Sequence, residues 1–344
     1  MTEKGQEMQK TKNEIMDLTY SYLKYPLPEG ILKELYKELE HINLYPSGGG
    51  YSELCQVLAT YSGTKIENIL PANGSDEVIE MITRAYQGKI LIPVPTFSQY
   101  EASADRGGFS KLLVNCLTNG HYIINYSSEQ LEEASLVWIC NPNNPTGTSI
   151  SREKIIDVLQ RAKGMVVVDE CYYNYLEETV IDLIDDYPNL IISRSFSKDF
   201  GLAGLRLGFM ISNSKNIKKI SAFGQYFRVN RIAEKSTGKV LKYLDYYQKA
   251  WKSIKKNRDY FINNLKAMGF NVFDSNSNFV FVEFKNENQT KKIWNYLKEN
   301  NIFTTAAWED EFSVLESRFI RICIGEKKEM DKVVEVLSDY VKKS

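Results

Sequence analysis

Between residues 89 and 192 four short runs, Lys89-Ile90-Leu91-Ile92, Leu136-Val137-Trp138-Ile139, Met165-Val166-Val167-Val168 and Leu190-Ile191-Ile192, are separated by stretches of helical pattern. Runs that stay apolar at successive positions, instead of alternating, suit strands covered on both faces, which is the condition of a parallel sheet. Parallel neighbours need long crossovers. The helical candidates Asp76 to Gln87 and Ser151 to Ala162 can supply them, the second with Ser151 placed as an N-cap and Glu153 in the first turn. From about Asn43 to Thr237 this rhythm predicts an α/β fold with a mostly parallel central sheet.

A chain of 344 residues exceeds the size at which one hydrophobic core stops growing, so a large domain with a smaller companion is expected. After a long helical region from about Gly238 to Met268 the pattern changes to Phe279-Val280-Phe281-Val282, a helix near Lys291 to Glu299, and Phe319-Ile320-Arg321-Ile322. This reads as a smaller α+β domain. The division expected is residues 1–42 as an N-terminal arm and part of the small domain, 43–237 as the large domain and 238–344 as the C-terminal small domain.

Several function classes are disfavoured at once. A net charge of -1 gives no electrostatic reason to expect nucleic acid. Lys215, Lys218 and Lys219 read as solvated helix surface. No apolar run approaches the roughly 20 residues that span a bilayer, and the polar start, Met1 to Lys12, offers no signal peptide. The expected location is the cytoplasm. The five cysteines are scattered singly, unlike a zinc or redox motif, and read as small buried thiols. His41 and His121 sit in no metal or triad spacing, so chemistry must rest on other groups.

Four segments carry that chemistry in a fixed order: Asn73-Gly74-Ser75-Asp76, Asn141-Pro142-Asn143-Asn144-Pro145-Thr146-Gly147, Asp169-Glu170-Cys171-Tyr172, and Ser195-Phe196-Ser197-Lys198 running on to Gly204-Leu205-Arg206. The last three follow predicted buried strands. Their polar residues therefore fall at the carboxyl edge of the sheet, where open α/β folds bind ligands. A lone Ser-Lys pair says nothing and Asp-Glu-x-Tyr little; the order and spacing of all four say much more.

Together they resemble the fold-type-I, class I/II aminotransferases, most closely the histidinol-phosphate aminotransferase subgroup, from the Leu44-Tyr45-Pro46 region to Arg321. The resemblance implies the pyridoxal 5′-phosphate (PLP) transferase fold, with 43–237 as the cofactor-binding domain and Lys198 holding the cofactor as a Schiff base. Gly74, Ser75 and Asp76 would open a helix toward the cofactor phosphate, with Ser195, Ser197 and Arg206 adding hydroxyls and a guanidinium. Asp169 would face the pyridine nitrogen, Tyr172 and Asn144 the 3-oxygen, and Phe97 the ring face. Tyr45 resembles a tyrosine that reaches the neighbouring subunit's cofactor and substrate, which implies a homodimer. Arg321 matches the arginine that binds the substrate carboxylate.

The match departs from the subgroup on the substrate side. Leu23-Lys24-Tyr25-Pro26 stands where an Asn-Glu-Asn-Pro-like sequence is usual. The stretch Ile302-Phe303-Thr304-Thr305-Ala306-Ala307 lacks the second arginine that helps bind a substrate phosphate. Arg228 and Arg231 are candidates to compensate, with Arg228 as a substrate-binding residue.

The implied reaction is a ping-pong transamination in which an amino donor, by family habit glutamate, and a small oxo acceptor use one site, with Lys198 moving the proton. The acceptor stays open: histidinol phosphate, another small amino-alcohol phosphate or an aromatic amino acid. Two alternatives remain. One is decarboxylation of a phosphorylated amino acid, as in threonine-phosphate decarboxylases. The other is a non-catalytic effector sensor on the same fold.

Overall fold

In the computed structural model, which describes residues 15–47, 50–118, 120–308, 312–313 and 317–343, the four apolar runs are neighbouring parallel strands. The stretch Met1 to Lys12 lies outside those residues. The large sheet comprises β1 (Ile69–Asn73), β2 (Ile90–Val94), β3 (Lys111–Asn115), β4 (Leu136–Cys140), β5 (Met165–Asp169), β6 (Leu190–Ser195) and β7 (Leu207–Ser212). Their order is β1-β7-β6-β5-β4-β2-β3. Only β7 runs antiparallel to its neighbours, pairing Ser195 with Gly208 on one side and Asn73 with Leu207 on the other.

Every residue of β4 and β5 is buried. Successive side chains of a strand point to opposite faces, and here both faces are covered. Val137, Ile139, Val166 and Val168 enter one apolar cluster, while Leu136, Trp138 and Val167 enter another. Each buried aliphatic side chain stabilises the fold by about 1.5–3 kcal/mol. A one-residue slip would exchange the two sets, so the register is strongly specified.

Two helices bear on the site. Helix α1 (Gly74–Ala85) follows β1 directly and buries Val78, Ile79, Met81, Ile82 and Ala85, the stripe of an amphipathic helix. Helix α2 (Arg152–Arg161) starts at Ser151, whose Oγ accepts the Lys154 N–H at 3.3 Å. That is the predicted cap.

The C-terminal part forms a second, antiparallel sheet of β8 (Asn271–Val272), β9 (Phe279–Glu283), β10 (Thr305–Ala306) and β11 (Phe319–Cys323), in the order β8-β9-β11-β10. Arg321 lies opposite Phe281 on one side and Thr305 on the other. The N-terminal segment joins this region, with Met16–Asp17 pairing in parallel with Ile302–Phe303. The helical region expected from Gly238 differs from the prediction. A helix at Arg231–Val240 passes through the short turn Leu241–Tyr243 into a separate 24-residue helix, Leu244–Ala267.

All five cysteines are buried and none forms a disulfide. Lys215, Lys218 and Lys219 are exposed on their helix. Among the described residues no helix is long and apolar enough to cross a membrane, and no group of three or more metal-ligating side chains occurs.

Candidate active site

The end of β5 delivers Asp169 and Glu170 in opposite directions, as strand alternation requires. Glu170 turns into the protein and pairs with Arg194 at 2.8 Å, while also accepting the Val180 N–H. Asp169 turns toward the carboxyl edge of the sheet. Its Oδ2 accepts the Tyr100 hydroxyl at 2.6 Å and its Oδ1 the Cys171 N–H at 3.1 Å. Burial raises its pKa. Its hydrogen-bond donors are neutral and the nearby Lys198 charge offsets the burial only in part, so a protonated ring nitrogen is the kind of group that would stabilise its charge. Tyr100 was not read from the sequence, where nothing distinguishes it among 22 tyrosines. Its ring stacks on Trp138 at 4.3 Å, and burial pushes its hydroxyl pKa well up, so it remains a donor.

Lys198 follows β6 and lines one cavity with Asp169, Tyr172, Asn144 and Phe97. Its Nζ lies 5.9 Å from the centroid of the Tyr172 ring, and its main-chain oxygen accepts the Tyr175 hydroxyl at 3.4 Å. The next residue, Asp199, turns inward. Its Oδ2 accepts Asn174 Nδ2, its Oδ1 is buried without a partner, and its main-chain oxygen accepts Trp251 Nε1 at 2.6 Å.

Burial, opposed by the Asn174 hydrogen bond, pushes the Asp199 pKa up to about 7. In the unfolded chain the group titrates near 4, so between these values the native state holds the extra proton. The stabilisation this gives is full below pH ~4, falls as pH rises through about 7, and is absent above. It spans on the order of 4 kcal/mol. Thermal unfolding followed from pH 5 to 8 should show a steeper loss for the wild type than for Asp199→Asn; parallel curves would contradict this assignment.

An anion cup lies across the cavity. Helix α1 opens at Gly74-Ser75-Asp76, so its first N–H groups point to the carboxyl edge. Arg206 donates to Asp76 Oδ2 at 2.7 Å and to Ser197 Oγ at 3.4 Å. Ser195 Oγ accepts the Ser197 N–H at 3.1 Å and so shapes the turn that carries Ser197.

Two glycines make room for this arrangement. A Cβ at Gly74, whose φ is +77°, would lie 2.5 Å from Arg206 Nη2, and one at Gly208 would lie 2.6 Å from the Ser75 nitrogen. A guanidinium, two hydroxyl side chains and a helix N-terminus converging on a cleft that side-chain carbon would fill suit a phosphate group. Gly74→Ala is expected to cost about 1–2 kcal/mol for the left-handed backbone and to displace Arg206. Chemical denaturation measures the first effect, and loss of cofactor affinity the second.

Arg321 closes the other end of the cavity and is 2% exposed. Its Nη1 donates to Asn144 Oδ1 at 2.8 Å, and its Nη2 to the Thr19 main-chain oxygen at 2.6 Å. The Tyr172 hydroxyl is within 2.8 Å of Ser21 Oγ. Burial holds the Tyr172 pKa well above its ordinary value, against the influence of Arg321.

Three predicted residues lie elsewhere in the chain. Tyr45 is 77% exposed and stacks on Phe227 at 4.6 Å, in a groove that also holds Arg231. Arg228 donates to the main-chain oxygens of Pro71 and Gln225 and is not among the side chains lining the Lys198 cavity. Arg231 lies 3.7 Å from Glu38. Conversely, Tyr20, Ser21 and Tyr22 line the cavity. The departure from the subgroup at Leu23-Lys24-Tyr25-Pro26 lies just after these residues and does not line the cavity.

Residues 13–337 match the family model described as aminotransferase class I and II. The chain is similar to the histidinol-phosphate aminotransferase of Rippkaea orientalis, with 30% identity over 318 residues, 92% of this chain and 89% of that one. Among solved structures it resembles the histidinol-phosphate aminotransferase from Clostridium acetobutylicum, with a TM-score of 0.86 and 27% identity over 96% of this chain and 100% of that chain. It also resembles a decarboxylase from Sulfurospirillum multivorans, with a TM-score of 0.80 and 26% identity over 96% of this chain and 88% of that chain.

Proposed function

Because the chain belongs to the class I and II aminotransferase family, we propose that its cavity transfers an amino group, with glutamate as donor, to a small oxo compound, and that Lys198 is the reacting amine. The protein is a PLP-dependent aminotransferase. The observation that supports the proposed site is the sharing of one cavity by Lys198, Asp169, Tyr172, Asn144 and Phe97.

When bound, PLP supplies an aldehyde that condenses with amines and a pyridine ring that withdraws electrons from the substrate's reacting carbon. Lys198 Nζ would hold that aldehyde in the resting enzyme. Displaced by the substrate amine, the same Nζ would accept the proton from the substrate α-carbon as general base and, as general acid, deliver it to the cofactor's C4′ carbon. Asp169 would keep the ring nitrogen protonated, with Tyr100 fixing the carboxylate. Phe97 would cover a ring face. Tyr172 and Asn144 would donate to the ring's 3-oxygen, Asn144 through Nδ2 because Oδ1 already accepts from Arg321. Gly74, Ser75, Asp76, Ser195, Ser197 and Arg206 would form the phosphate cup, and Arg321 would take a substrate carboxylate.

Tyr45, exposed beside Phe227, would complete the cofactor and substrate site of a second copy in a homodimer. The cytoplasm is the proposed location, a reading supported by five cysteines that form no disulfide. Within one chain, Arg228 stays committed to main-chain oxygens.

L-glutamate should aminate the bound cofactor with loss of its visible absorbance, and borohydride reduction beforehand should fix the cofactor on Lys198 in a peptide map. A decarboxylase would instead release carbon dioxide from its substrate and leave the cofactor's absorbance unchanged after glutamate. Trapping on another lysine would overturn the assignment of the site.

A further inference from the structure

The two groups assigned to the cofactor's 3-oxygen each have a fixed partner behind them. Asn144 Oδ1 accepts Arg321 Nη1 at 2.8 Å, which leaves Nδ2 for the ring. The Tyr172 hydroxyl lies 2.8 Å from Ser21 Oγ. Ser21 and Tyr172 are 2% and 3% exposed, so this contact is complete within one chain and takes no group from a second copy.

The geometry is set from both sides. The Tyr172 ring meets Phe279 edge-on, with centroids 5.2 Å apart and planes at 87°. The Ser21 main-chain oxygen accepts Asn278 Nδ2 at 2.8 Å, so ring and serine are located by consecutive residues where β9 begins. Two further bonds hold the segment: Leu18 oxygen accepts the Cys323 N–H at 3.1 Å, and Thr19 oxygen accepts Thr305 Oγ1 at 3.1 Å. A hydroxyl carried on ordered backbone is preorganised and loses little freedom when it bonds.

Proton counting fixes the direction of the Ser21–Tyr172 bond. A phenol and an alcohol carry one proton each and can also accept. Burial, opposed by Arg321 and by the Ser21 hydrogen bond, raises the Tyr172 pKa, so the phenol keeps its proton. Once that proton points to the cofactor, the Tyr172 oxygen has only lone pairs to offer Ser21, and the serine hydroxyl must be the donor.

From this arrangement we infer that Ser21 is a positioning residue: its hydroxyl donates to the Tyr172 oxygen, directs the Tyr172 proton at the cofactor's 3-oxygen and strengthens that bond. This rests on the cofactor placement proposed above and adds to it a residue from the N-terminal segment. Successive hydrogen bonds polarise one another. A stronger donor at the 3-oxygen stabilises its anion, and so lowers the pH at which the Lys198–cofactor link gives up the proton that its nitrogen shares with that oxygen. The ionisable groups facing the pair are Arg321 from β11, Cys140 from β4, Asp169 from β5, Lys198 after β6, and Cys171 and Tyr175 beside Tyr172 itself. All six are kept in the test. Ser21 acts through Tyr172, and the reacting atoms remain with Lys198.

Absorbance of the holoenzyme against pH, with no substrate present, tests this apart from turnover, because the protonated and unprotonated links absorb at different wavelengths. In Ser21→Ala the midpoint should rise by about 0.5–1 pH unit, the scale of one lost hydrogen bond. Ser21→Cys keeps a weaker donor in the same place and should rise by less. Tyr172→Phe should rise further than either. Adding Ser21→Ala to Tyr172→Phe should move the midpoint no more, since the serine then has no phenol to act on.

The inference is overturned if Ser21→Ala titrates with or below the wild type. It is also overturned if Ser21→Ala shifts the midpoint as much in the Tyr172→Phe background as in the wild type, which would make Ser21 a general influence on the cavity. A holoenzyme whose absorbance does not titrate, or whose cofactor borohydride traps on another lysine, would defeat the placement of the cofactor on Lys198 and the inference with it. A titration on Lys198 that Ser21→Ala leaves unmoved defeats the inference alone.

Discussion

Lys198→Ala is expected to lower kcat by at least about a thousandfold, the scale of a lost general base compounded by the lost covalent anchor. Lys198→Arg should fall as far, because a guanidinium keeps its proton at working pH. The phosphate cup is untouched by either change. Gly74, Ser75 and Arg206 belong to α1 and the turn before β7, so both variants should still take up PLP without a borohydride-stable link. Single-turnover absorbance with L-glutamate measures the rate, and dialysis followed by cofactor assay measures retention. A Lys198→Ala variant with more than a tenth of the wild-type rate would remove this lysine from the chemistry.

The second large effect belongs to the carboxylate. Asp169→Asn should reduce kcat by about a hundred- to a thousandfold, the usual cost of removing one preorganised electrostatic partner from a water-excluded site. Asparagine fills the same space; its Oδ1 can still accept the Cys171 N–H while its Nδ2 donates to the Tyr100 oxygen, so the fold should be retained. The charge is what is lost. Tyr100→Phe removes one hydrogen bond to that charge and should cost about tenfold. The sequence of effects, with asparagine far worse than phenylalanine, distinguishes electrostatic support from mere packing. Equal losses in the two variants would mean that Tyr100 and Asp169 matter only as parts of the wall.

The central strands were legible because their signal is local. Runs such as Met165-Val166-Val167-Val168 bury both faces, and each ends where the polar motif begins. Helix α2 was legible for the same reason, since Ser151 caps it within one turn. Less legible were β1, β7 and the edge strand β3. Ile69–Asn73 contains a proline, and Lys111–Asn115 is only partly buried, so neither stands out as a continuous apolar run. The break between Val240 and Leu244 is likewise hidden inside a sequence of good helix formers.

Residue order and type alone determined the α/β layering, the alignment of Gly74, Asn144, Asp169, Lys198 and Arg206 with the ends of successive elements, and the absence of basic residues from Ile302 to Ala307. Tertiary structure decided which distant groups meet them: Tyr100 on Asp169, Ser21 on Tyr172, Thr305 opposite Arg321, and Arg228 on the main-chain oxygen of Pro71. The division has a physical cause. Strand and cap preferences are set by neighbours a few residues apart, whereas the partner of a buried polar atom is chosen by which remote segment packing brings within hydrogen-bond reach.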